Sequence, residues 1–172
     1  MNKLRQLALS LLLMLSINFV HAIPIELSFT VAGFPVSAPT DPVTGTIVYE
    51  AASLGATVDS LTSISLTLDG YTYGVGELGF TSSGSTDFIG GSLNGVQTIF
   101  SATNDFLIRF NRDAQTGFDF IYSSASINNI WSSAQFTSFS MTELSQVPEP
   151  TTVALLSLGL VGFGFTRRKM KA

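Results

Sequence analysis

The sequence predicts an all-β protein: an antiparallel β-sandwich or jelly-roll-like domain between an N-terminal signal peptide and a short C-terminal transmembrane helix. Three observations carry this. Apolar residues in the middle of the chain recur with period two, as half-buried strands require. These runs return about every ten residues with Gly, Asn, Asp or Ser between them, the rhythm of a sandwich. Both chain ends instead hold an uncharged apolar segment beside basic residues, so they are targeting elements outside the fold.

Residues 1–22 read as the signal peptide. Lys3 and Arg5 form a positive start, residues 7–20 an apolar core, and Val20-His21-Ala22 the stretch a signal peptidase reads, with cleavage between Ala22 and Ile23. The core is interrupted by Ser10, Ser16 and Asn18 and is too short for a membrane anchor.

Residues 23–146 form the domain, 124 positions and enough for one core. Ile25, Leu27, Phe29 and Val31 alternate with Glu26, Ser28 and Thr30 to give the first strand. Residues 45–50, rich in β-branched and aromatic side chains, give the second. Ile64, Leu66 and Leu68 lead to Asp69-Gly70, and residues 71–75 follow, the best hairpin signal in the chain. Further strands are expected at 96–102, 106–110, 118–122 and 136–142, with a short helix at 51–55 or 123–131.

The C-terminal segment has three parts. Val147, Pro148, Glu149, Pro150 and Thr151 form an extended strip, because the two prolines fix φ and remove two donors. Residues 151–166 are uncharged and mostly apolar, with the transmembrane helix placed at 152–166; a helix of the whole stretch reaches roughly 24 Å, short of a bilayer core of about 30 Å. Arg167, Arg168, Lys169 and Lys171 follow, a stop-transfer cluster that stays cytoplasmic while the domain lies outside. Together, residues 147–172 resemble the PEP-CTERM sorting signal of Gram-negative bacteria that secrete exopolysaccharide. The resemblance implies processing near the motif by an exosortase, a membrane-embedded cysteine transpeptidase-like enzyme, and release from a transient inner-membrane intermediate to the cell surface or extracellular matrix. The competing reading is a permanently anchored single-pass protein. Thr44-Gly45-Thr46-Ile47-Val48-Tyr49-Glu50 and Leu66-Thr67-Leu68-Asp69-Gly70-Tyr71-Thr72-Tyr73 are also similar to segments of small exported proteins with this signal. That likeness implies a fold class and leaves activity open.

Charge and composition exclude whole classes of function. The 23–146 domain has eleven acidic residues against Arg109 and Arg112, a net charge of −9 where the full chain has −4. Nucleic acid is excluded as a partner, since its binding needs clustered cations to displace counterions. The chain has no cysteine, its one histidine lies in the signal peptide, and every lysine lies in a targeting end. The usual nucleophile activators and transition-metal ligands are therefore missing from the domain.

Carboxylates remain. A glycosidase needs only two, some 5–10 Å apart by general rule, and Glu50 with Glu77 or Asp69 with Asp87 are the candidate pairs. The acids are dispersed beside Gly and Ser, as in solvated turns. Asn104, Asp105, Asn111, Asp113 and Asp119 offer oxygen ligands for calcium, with Asp105, Asp113 and Asp119 as the candidates, although their spacing matches no EF-hand loop and turn chemistry is the better account. Gly90-Gly91-Ser92-Leu93-Asn94 misses G-x-S-x-G at its last position, so Ser82, Ser83, Ser85 and Ser92 read as loop residues. Arg109, alternating with Phe106, Ile108 and Phe110, is expected at the surface beside a carboxylate. Trp131, Tyr49, Tyr71, Tyr73 and Tyr122 form either core or a platform for polysaccharide, with core favoured. The Ser and Thr at 81–86 and 132–140 suit the open face of a sheet, glycosylated or not.

The sequence thus predicts a non-catalytic exported surface or biofilm-matrix protein without a cofactor, structural or adhesive, served by signal peptidase and exosortase and in contact with extracellular polysaccharide. The alternative is a small carbohydrate-active enzyme with paired carboxylates.

Overall fold

The computed structural model describes residues 22–91 and 96–145. Eleven strands and one 3-10 turn lie in them: β1 (Ile23–Ala32), β2 (Val43–Ala51), β3 (Ser60–Ser65), β4 (Thr67–Leu68), β5 (Tyr71–Thr72), the turn Val75–Glu77, β6 (Leu78–Ser83), β7 (Thr86–Gly91), β8 (Phe106–Asn111), β9 (Thr116–Ser124), β10 (Asn129–Ser133) and β11 (Gln135–Glu143). Two antiparallel sheets result, ordered β11-β1-β2-β3 and β10-β9-β8-β7-β6, with β4-β5 as a separate small hairpin. The second sheet is a meander, and in the first the last strand returns beside β1. The chain therefore does not interleave two Greek keys as a jelly roll does.

Period-two patterning places the core. Ile25, Leu27, Phe29 and Val31 of β1 and Val43, Ile47 and Tyr49 of β2 are buried against Ile89, Phe106, Ile108, Phe110, Phe120, Tyr122 and Trp131 of the facing sheet. Phe29 meets Phe120 at a centroid distance of 5.5 Å, and Phe110 meets Phe139 at 5.9 Å, joining the layers. Trp131 is 2% exposed, and its indole N–H donates to Ser37 Oγ at 3.1 Å. Of the aromatic residues weighed as a glycan platform, Tyr71 alone escapes full burial; Trp131, Tyr49, Tyr73 and Tyr122 are core.

Close backbone approach explains two glycines. Gly45 faces Phe29 across the β1-β2 ladder, and a β-carbon there would stand 2.8 Å from the Phe29 ring. At Gly90 it would stand 2.2 Å from the Phe106 carbonyl oxygen. The Gly90-Gly91 pair, expected in a loop, is thus the end of β7, where only glycine admits β8.

Other expectations are corrected. The Asp69-Gly70 turn forms with φ of 48° and 77°, as a two-residue hairpin demands, but its strands are only two residues each. The expected strand at 71–75 stops at Thr72, and Val75 enters the 3-10 turn. Residues 96–102 form turns and coil, with Thr103 N–H bonded to the Phe100 carbonyl at 3.2 Å; β-propensity there lacks a partner strand. No α-helix occurs at 51–55 or 123–131. Gly55 has φ of 84°, and the second stretch is the end of β9, a turn at Asn128 and the start of β10. Strands β6, β7 and β10 had no clear sequence signal, because Gly, Ser and Asn dilute their alternation. The signal peptide at 1–21 and the 147–172 segment lie outside the described residues.

Candidate functional site

Two carboxylates are buried in the domain, Asp87 and Asp105. Asp87 sits on β7, fully buried, where Oδ1 accepts from Arg112 Nη1 at 2.8 Å and from Ser82 Oγ at 2.5 Å. Arg112, also bonded to the Gly84 carbonyl, reaches back from just beyond β8. The Tyr49 hydroxyl and Asp87 Oδ2 have no hydrogen-bond partner among the described residues. Burial pushes the Tyr49 phenol up, with the Asp87 charge adding to it and Arg112 opposing. This is a sealed ion pair between strands.

Asp105, 3% exposed, opens onto a cavity of about 560 Å³ lined by Tyr71, Tyr73, Gly76, Glu77, Gly91, Thr103, Asn104 and Asp105. One wall follows from the Asp69-Gly70 turn. Reversal there sets Tyr71 and Tyr73 on the same side of the extended chain, their rings edge to face at 5.0 Å, with Tyr73 edge to face on Phe106 at 4.8 Å. The 3-10 turn then folds Glu77 back, so that its carboxylate accepts from the Gly74 N–H at 2.6 Å and from the Tyr71 hydroxyl. The Tyr71 bond, followed by that from Gly74, holds the Glu77 carboxyl below its usual range, and the same contact raises the Tyr71 phenol.

The opposite wall is equally fixed. Thr103 Oγ1 donates to Asp105 Oδ2 at 2.6 Å, the Asp105 N–H donates to Ser123 Oγ at 3.1 Å, and Asn104 Oδ1 accepts from the Ala125 N–H at 2.9 Å. Asp105 Oδ1 lies 3.3 Å from where a β-carbon on Gly91 would stand, so that glycine keeps the space open. The Tyr73 hydroxyl is buried without a hydrogen-bond partner among the described residues. Burial pushes its phenol up, and the charges of Asp105 and Glu77 add to this. The arrangement offers carboxylate acceptors and an aromatic rim, and among the described residues its lining includes no basic side chain. It suits the binding of hydroxyl groups.

The residues weighed from sequence scatter. Asp105 precedes β8 and Asp113 follows it, and a six-residue strand spans about 20 Å; Asp119 is engaged by Arg109. The calcium candidates are therefore not brought together, and among the described residues no group of three His, Cys, Asp or Glu side chains is placed to hold a metal. Arg109 does lie half-exposed against the Asp119 carboxylate, as its alternation implied. Asp69 accepts from Ser124 and Ser126, which hold its carboxyl low. Glu50 pairs along β2 with Pro24 and Ser60, away from the cavity residues. Ser82 serves Asp87, and Ser92 lies outside the described residues. The Glu77–Asp105 pairing was not foreseen; the D-G turn followed by Tyr-x-Tyr was its one sequence signal.

The fold and site define a small acidic β-domain with a polar cavity. Residues 146–169 match the model of the PEP-CTERM protein-sorting motif. The motif implies an exported protein that an exosortase processes at the membrane for delivery to the cell surface. Searches of curated proteins and of solved structures find no match.

Proposed function

We propose that this is a non-catalytic exported protein of the cell surface or exopolysaccharide matrix of a Gram-negative bacterium, structural or adhesive, released after its C-terminal signal is processed. The sorting motif at 146–169 carries the reading, since it addresses the domain to the cell surface. The domain suits such a role. Its first strand starts at Ile23, next to the proposed cleavage after Ala22, and its last ends at Glu143, directly before the Val147–Thr151 strip. Intact-mass measurement of both termini in hosts with and without the exosortase tests it. A species running from Ile23 to near Pro150, found in the matrix fraction only when the exosortase is present, is expected. A chain retaining Ala172 in the membrane fraction of both hosts would make this an anchored protein instead.

The cavity favours one second reading, a glycosidase built on Glu77 and Asp105. That mechanism needs one carboxyl held protonated near neutral pH. Tyr71 and Gly74 hold Glu77 the other way, so Glu77 does not supply that acid, and the surface or matrix reading stands first. Hydrolysis of aryl glycosides, lost in Glu77→Gln and in Asp105→Asn, would reverse that preference.

A further inference from the structure

We propose that two copies of this domain pair through the open side of the sandwich, where β3 and β6 are the edge strands, with β6 lying against β6 of the second copy across a two-fold axis. The inference goes beyond the surface or matrix reading and does not depend on it. The sheets end at two sides, and the core-side residues of the edge strands differ between them. On one side Trp131 of β10 is 2% exposed and Met141 of β11 is 5% exposed, so the core is closed there. On the other, the register places Phe80 of β6 beside buried Ile89, and Leu61 and Ile64 of β3 beside buried Tyr49 and Ile47, all on the core side. Yet Phe80 is 38% exposed, and Leu61, Ile64 and Leu78 are only half-buried. Val75, in the turn that leads into β6 and lies against β3, is exposed as well.

The backbone of β6 is open too. The Arg112 N–H bonds the Ser85 carbonyl, and antiparallel alternation from that pair turns the N–H and C=O groups of Thr86, Phe88 and Gly90 toward β6 and those of Phe80 and Ser82 away from β7. These outward groups have no hydrogen-bond partner among the described residues, so the edge is a template for one more strand. Charge selects the occupant. The domain has eleven acidic residues against two arginines, so two copies repel wherever those acids meet. Ser60–Ser65 and Leu78–Ser83 contain no charged residue and no proline, the usual blocks on an edge, so on this side copies can approach. A cationic partner is drawn to the acidic loops instead. The two-fold axis sets Phe80 beside Phe80 of the second copy, so each ring covers the other, and the Ser82 N–H reaches the Leu78 carbonyl across the axis.

The test is sedimentation velocity on the protein as its host delivers it, over a wide range of concentration. Twice the mass of one chain is expected. Phe80→Lys, which sets like charges side by side, should reduce it to a single chain's mass, whereas Ile130→Lys, on exposed β10 at the closed side, should leave the double mass in place. Hydrogen exchange needs no variant: the Phe80 and Ser82 amide protons should exchange more slowly as concentration rises. A single-chain mass at every concentration overturns the proposal, as does a double mass that survives in a folded Phe80→Lys. Should that variant fail to fold, exchange at Phe80 and Ser82 that ignores concentration overturns it in the unaltered protein. A double mass lost in Ile130→Lys assigns the pairing to β10 and also overturns it. One chain found with a different protein, and parted from it by Phe80→Lys, gives this side to that partner and overturns self-pairing.

Discussion

Asp87, on β7, and Asp105, just before β8, are both buried carboxylates, yet their surroundings have opposite designs. Asp87 is neutralised by Arg112, bonded by Ser82 and closed from solvent. Asp105 is held by the neutral hydroxyl of Thr103 and faces a cavity whose lining among the described residues includes Glu77 and no cation. Each region also contains a tyrosine hydroxyl without a partner among the described residues, Tyr49 in the first and Tyr73 in the second. Burial of a carboxylate therefore does not mark a site by itself. The partner and the adjoining space decide whether it supports structure or meets a ligand.

The sharpest way to break the comparison is to remove each carboxylate. Asp87→Ala strands the Arg112 guanidinium, and a loss of about 3–5 kcal/mol is expected, read by urea denaturation. Asp105→Asn keeps shape and an acceptor for Thr103, so a loss of about 1 kcal/mol or less is expected, read the same way. Equal destabilisation by the two would erase the distinction.

The tyrosines sharpen it at lower cost. Tyr49→Phe and Tyr73→Phe each remove an idle buried hydroxyl, and melting should change by no more than about 1 kcal/mol, in the stabilising direction if at all.

The smallest effect is in pH. Glu77 and Asp69 both have carboxyls held low, by Tyr71 and by Ser124 with Ser126. Their stabilisation is fully present above the unfolded value of about 4 and is lost as pH falls through the lower folded value. Glu77 is exposed and Asp69 half-exposed, so the acid-side fall in melting temperature should be shallow. Glu77→Gln should flatten it further, and a slope that Glu77→Gln leaves unchanged would assign the dependence elsewhere.

Much of the first sheet was legible because β1 and β2 alternate without interruption, and a strand covered on one face must do so. The Asp69-Gly70 turn was legible for a local reason, since both positions need positive φ. Strands β6 and β7 were not. Gly90 and Gly91, with Ser82 and Ser83, read as loop, and the demand for glycine at Gly90 comes from the Phe106 carbonyl of another strand. The strand expected at 96–102 failed for the converse reason, since its β-prone residues found no ladder. The cavity was the least legible feature. Glu77 and Asp105 are distant in sequence and lie in turns that look alike on paper, so only chain reversal at Asp69-Gly70 and the entry into β8 set them around one space.

The sequence by itself determined the all-β class, the acidic cation-poor domain and the sorting motif at 146–169, because period, charge and a contiguous signal are local properties of a chain. Only the tertiary structure decided the strand order, the Asp87–Arg112 pair and the cavity at Asp105, because each depends on which distant segments pack together, and local pattern does not specify that packing.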